Sequence, residues 1–70
     1  MKKVGEVVSR FSRFIICKSH KNAKTLIGKT VYSEKKELVG MVVDILGPVE
    51  RPYLKILKKN GEDAQILYVR

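Results

Sequence analysis

The side chains suited to chemistry are few: one histidine, one cysteine and seven carboxylates in 70 residues. His20 lies in the lysine-rich stretch KSHKNAK with no cysteine, aspartate or second histidine beside it. A metal site needs three or four ligands, so His20 reads as a surface histidine. Cys17 ends the apolar run FIIC and reads as a core filler rather than a nucleophile. As the only cysteine it makes no internal disulfide, and a reducing, intracellular setting is the default. Asp44 is a single carboxylate in an apolar run, expected to accept from the backbone amides of the turn at Gly47. It has no neighbouring carboxylate in sequence for general acid–base work. Glu34, Glu37, Glu62 and Asp63 flank turn signals and read as solvated charges. No phosphate loop or dinucleotide fingerprint is present. The expectation is a non-enzymatic protein with no metal, cofactor or small-molecule ligand.

Charge is the stronger signal. The net charge is +8, and the first 29 residues hold eight basic side chains against the single acid Glu6. Residues 30–70 hold seven basic and six acidic side chains. A one-sided basic excess attracts nucleic acid, steers an acidic partner, or keeps a surface solvated. Arg10, Arg13, Lys18, Lys21 and Lys24 are the candidates for lying near RNA. Only five aromatic residues accompany them. Phe11, between Arg10 and Arg13, has the chemistry to stack a base, but a barrel-rim or core role is the commoner one for such a phenylalanine. Weak RNA binding by the isolated protein is therefore expected.

These groups must be positioned by strands. Short runs rich in valine, isoleucine, tyrosine and phenylalanine alternate with turn signals, and no segment sustains a helical period. The runs predict strands over residues 4–8, 14–18, 29–33, 38–46, 53–58 and 64–69. Polar residues 19–24 and 33–37 read as loop and turn. Gly47-Pro48 ends the fourth strand, and Asn60-Gly61 is a tight-hairpin signal. Six short strands predict an all-β fold, a small six-stranded closed or split β-barrel in one domain over residues 1–70. No internal repeat or second domain is evident. No apolar run approaches the ~20 residues of a membrane span, and nothing resembles a secretory signal.

The fourth strand is unusual. Strict alternation places Val39, Met41, Val43 and Ile45 on one face, and Leu38, Gly40, Val42, Asp44 and Leu46 on the other. Both faces are largely apolar. One is expected to fill the barrel and the other to lie under a loop or against a partner, with Gly40 admitting a close backbone approach.

The stretch GMVVDILGPVERPYLKI, residues 40–56, resembles the core of the GAR-type subunit of H/ACA ribonucleoproteins, which guide pseudouridylation of RNA. The resemblance rests on Gly40, Val42, Asp44, Gly47, Pro48, Val49, Pro52 and Tyr53, and extends more loosely to VGEVV, GKTVYS and LYV. Leu46 stands where the family commonly has phenylalanine, and Ala64 where it often has glycine. The resemblance implies the minimal archaeal form, cytoplasmic and within a ribonucleoprotein. It implies docking on the catalytic domain of a TruB-like pseudouridine synthase through those eight residues, with contact to the H/ACA guide RNA mostly indirect. It further implies no catalytic residue, and help with loading and release of substrate RNA in rRNA modification by biasing a mobile thumb loop of the synthase. Two other readings accompany it. GKTVYSEKKELVGMVVDI also fits a PRC-barrel-like ribosome-maturation module, though that leaves Gly-Pro-Val and Pro-Tyr unexplained. A free-standing basic RNA-binding barrel of the OB or Sm kind requires exposed aromatics on the basic half.

Overall fold

The computed structural model describes residues 1–59 and 64–70. The Asn60-Gly61 signal and the carboxylates Glu62 and Asp63 lie outside the described residues. The elements are β1 (Lys2–Arg10), β2 (Phe14–Lys18), a 3-10 turn (Ala23–Leu26), β3 (Thr30–Tyr32), β4 (Leu38–Leu46), β5 (Tyr53–Lys58) and β6 (Ile66–Val69). They close an all-antiparallel barrel in the order β1-β2-β5-β4-β3-β6. The bounds of β2, β4 and β5 agree with the sequence reading. β1 runs longer because its polar ends still pair, Lys2 with Val69 and Arg10 with Ile15. The basic loop after β2 contains the 3-10 turn, whose Ala23 is buried in the core. β5 and β6 are consecutive but are not ladder neighbours.

The face assignment of β4 is corrected by two bulges. Val31 pairs with Gly40 and Tyr32 with Leu38, so Val39 is the extra residue against β3. Val42 pairs with Ile56 and Asp44 with Lys55, so Val43 is the extra residue against β5. Each bulge resets the in-out alternation. Val39 and Val42 consequently both enter the core, with Ile45 packed against it, while Val43 turns outward. Val42 is 1% exposed and is a core residue, not an outer anchor. Gly40 does admit a close backbone approach, but the approaching group is the Leu57 carbonyl of β5, which a Cβ at Gly40 would strike.

β1 repeats this device. Val4 is extra against β6 and Val8 against β2, and a Cβ at Gly5 would strike the Lys18 carbonyl. The residues involved are VGEVV at 4–8 and VGMVV at 39–43. The pairings carry the correspondence through the barrel. β1, β2 and β3 map onto β4, β5 and β6, and the cyclic strand order maps onto itself. Val4, Val7, Ile15, Cys17 and Val31 thereby match Val39, Val42, Leu54, Ile56 and Leu67, and all ten are buried. Two loop hydrogen bonds match as well: Ser19 N–H donates to Pro52 O, and Lys58 N–H to Arg13 O, both at 3.0 Å. The chain thus contains two three-strand halves related by an approximate two-fold axis, a repeat too divergent outside V-G-x-V-V to read from the sequence.

The bulges leave polar groups that need partners. The Val4 carbonyl accepts from Ser19 Oγ at 2.9 Å, and the Val39 carbonyl from Lys59 N–H at 3.0 Å. Among the described residues no buried side-chain polar atom lacks a partner. A methyl group at Gly40 would strike the Leu57 backbone and crowd the buried Ile56 side chain. Gly40→Ala should therefore cost roughly 1–3 kcal/mol of stability, read as a lower urea midpoint at unchanged slope. An unaltered midpoint would contradict the close approach.

Candidate docking surface

β4 ends where Gly47 takes a φ of +84°, a conformation that favours glycine. The chain then turns through Pro48, whose carbonyl accepts from Arg51 N–H at 3.2 Å. Pro52 is buried, and its carbonyl is held by Ser19 N–H, which ties the loop to the end of β2. Two prolines and a tether leave Val49 displayed at 69% exposure. Gly47 and Pro48 form a ridge between two clefts. One, of about 530 Å³, is lined by Ile27, Ile45, Val49 and Pro52, with Lys21, Lys24 and Asp44 also on its wall. The other, of about 390 Å³, is lined by Ile16, Leu46, Arg51 and Tyr53. Ile27 is 55% exposed and Leu46 is also exposed, so this end of the barrel displays apolar side chains among its cations.

Of the eight residues expected to bind a partner, Asp44, Gly47, Pro48, Val49 and Tyr53 gather on this ridge and its flanks. Pro52 supports the loop from beneath. Asp44 is exposed, and its Oδ1 accepts from the Ile45 amide at 2.8 Å rather than from the turn at Gly47. Gly40 and Val42 are buried in the barrel wall and are absent from the surface. Sequence reasoning missed Ile27 and Leu46. Ile27 carried a weak signal, an apolar residue between the buried turn and a glycine. Val43, exposed farther back along β4, carried none, because only the bulge turns it outward.

The five basic candidates divide between two ends of the β2–β5 ladder. Phe14 pairs with Leu57 and Lys18 with Tyr53. Lys18, Lys21 and Lys24 therefore belong to the Val49 end, and Arg10 and Arg13 to the opposite one. Arg10 is braced there, its Nη2 donating to Ala64 O and Gln65 Oε1 at 2.9 Å each. Phe11 is not a core residue: it is 51% exposed, and its ring stacks on Phe14 at 4.7 Å between centroids. A third basic region is a cleft of about 280 Å³ lined by Lys2, Lys3, Lys29, His20 and Arg70.

Among the described residues no group of three or more histidine, cysteine, aspartate or glutamate side chains is placed to hold a metal ion. Cys17 is fully buried. Burial, and secondarily the charge of Glu6, push its thiol up from 9.0 to about 12. Thiolate chemistry is correspondingly suppressed in the folded protein. No helix among the described residues is long and apolar enough to cross a membrane.

A closed barrel with an apolar, proline-stiffened loop at one end and clusters of cations around it defines a small β-barrel binding domain. The chain belongs to the Gar1/Naf1 family: the profile of the Gar1/Naf1 RNA binding region matches residues 1–68. A protein of the archaeon Methanocaldococcus jannaschii, itself described as uncharacterised, is 45% identical over 49 residues. That match covers 70% of this chain and 57% of the relative, so it spans little more than half of the relative's length. The resemblance read from residues 40–56 is thereby confirmed at the level of the family, a family of RNA-binding proteins.

The Cys17 environment has a measurable consequence. The unfolded chain loses its thiol proton near 9, whereas the folded chain keeps it up to about 12. The unfolded state then binds fewer protons, so stability falls as pH rises through that window. Cys17→Val should remove this part of the alkaline destabilisation in urea titrations at pH 8 and pH 11. The native thiol should also resist a thiol reagent at pH 8 until urea unfolds the chain. Rapid native labelling would contradict the burial.

Proposed function

We propose that this protein is a non-catalytic subunit of an H/ACA RNA-guided pseudouridylation complex. It docks through the loop after β4 on the catalytic domain of a TruB-like pseudouridine synthase. The observation that carries the reading is the displayed Val49 on a loop stiffened by Pro48 and Pro52. A preordered apolar loop loses little conformational entropy when it binds. Tyr53 adds a half-buried aromatic with a polar tip at the edge of the same surface, a frequent kind of anchor. Membership of the Gar1/Naf1 family supplies the assembly in which such a surface has a use. The PRC-barrel alternative gives Gly-Pro-Val and Pro-Tyr no role, whereas here they form the displayed loop and the start of β5.

In this reading the barrel supplies no reacting group. It aids loading and release of substrate RNA by making different contacts with two positions of the synthase's thumb loop. A bound subunit shifts such an equilibrium only by its difference in affinity for the two positions. Lys21 and Lys24, on the wall of the cleft beside Val49, are suited to acidic groups on the synthase and to steering its approach.

The test is co-elution with an archaeal H/ACA synthase, without RNA. Wild type should form a one-to-one complex. Val49→Asp should raise Kd at least about 30-fold, the loss of a hot-spot anchor, while keeping the wild-type melting transition. Val42→Asp serves as the contrast: it puts a carboxylate into the core and should unfold the barrel outright. Undiminished binding by Val49→Asp would sink the docking assignment.

A further inference from the structure

The two hairpin tips, β1–β2 and β4–β5, occupy equivalent places in the two halves of the barrel. Arg13 corresponds to Pro52 and Phe14 to Tyr53 through the matched pairings and loop hydrogen bonds. They lie at opposite ends of the β2–β5 ladder, separated by four residue steps, roughly 13 Å of strand. Beyond the aromatic pair Phe14 and Tyr53 their chemistry differs. The β4–β5 tip is Leu-Gly-Pro-Val-Glu-Arg-Pro, stiffened by two prolines, whereas the β1–β2 tip is Arg-Phe-Ser-Arg-Phe. A partner seated on the first leaves the second free.

We infer that the β1–β2 tip is a stacking platform for an unpaired base of single-stranded RNA. Phe11 rests on Phe14 with centroids 4.7 Å apart and planes 22° apart, so one ring face is covered while half of the residue stays exposed. The Phe11 N–H donates to Phe14 O at 2.9 Å, which holds the backbone of the tip in the turn that brings the two rings together. Lys55 Nζ sits 4.7 Å over the Phe14 ring. Arg10 is held to Ala64 and Gln65, so the base of the tip is braced before any ligand arrives. Arg13 and Lys55 make no ion pair among the described residues, which leaves their charge for phosphate. A rigid, half-covered ring flanked by cations is what base stacking with backbone contact requires. Two rings alone fall far short of the area of a stable protein interface. The inference adds to the docking reading without resting on it.

Because the chain has no tryptophan, Phe11→Trp installs a unique fluorophore at the platform. The probe is an unstructured uridine-rich 12-mer RNA, with a 12-base-pair RNA duplex as comparison. The 12-mer should quench the Phe11→Trp emission, and the duplex should not. By anisotropy, Phe11→Ala should weaken binding of a labelled 12-mer roughly tenfold. Arg13→Ala should lower the salt slope by roughly 0.7, one phosphate on a single strand. Circular dichroism reports whether each variant folds, and the quenching result stands even if Phe11→Ala does not. Val49→Asp should leave 12-mer binding unchanged, so failure of the docking reading and failure of this one are distinguishable. An unquenched tryptophan, equal quenching by duplex, or RNA affinity unchanged in folded Phe11→Ala would overturn the inference. Loss of synthase binding by Phe11→Ala with RNA affinity intact would overturn it too, in favour of a protein contact.

Discussion

Two places where one strand's backbone presses against another hold this barrel in shape. At Gly5 and Gly40 the carbonyls of Lys18 and Leu57 come so close that a side chain would have to displace main chain. A bulge lies on either side of each glycine, and bulges increase local twist and bend the bulged strand. With only six strands, closure demands strong bending. Both nine-residue strands supply it through the same V-G-x-V-V run. The core follows from that geometry, since the bulges aim Val4, Val7, Val39 and Val42 inward.

The surface follows as well. The bulge that turns Val42 inward turns Val43 outward, and β4 then runs on to the Gly47–Pro48 ridge. On the other half, the matching bulge at Val8 lets β1 run on to the Arg-Phe-Ser-Arg-Phe tip. One framework thus presents two tips at opposite ends, one stiffened by proline and displaying Val49, one basic and aromatic. An approximate two-fold axis relates positions and not chemistry, so each tip was free to acquire its own ligand class. The core pairs, in contrast, stayed apolar on both sides because both halves share one interior.

Much of this was legible in the sequence. Strand bounds for β2, β4 and β5 followed from β-branched runs punctuated by Gly, Pro and polar turns, and the family from residues 40–56. The ridge of Gly47, Pro48 and Val49 was legible because glycine and proline constrain the backbone locally. Val42 and Gly40 were misplaced because alternation holds only for an unbulged strand, and nothing local marks a bulge flanked by valines. The exposure of Phe11 is not legible in the sequence, because it depends on Phe14 covering only one ring face. The half-repeat escaped notice because five residues of similarity at a spacing of 35 acquire meaning only when the pairings align.

The central claim is that the partner sits on the loop after β4. Amide hydrogen exchange of the protein, alone and saturated with an archaeal H/ACA synthase, tests it most directly. Docking there should add protection over residues 46–53 and at Ile27, with none over residues 10–14. Protection over residues 10–14 with residues 46–53 unchanged would place the partner at the other end of the barrel and contradict docking on the loop.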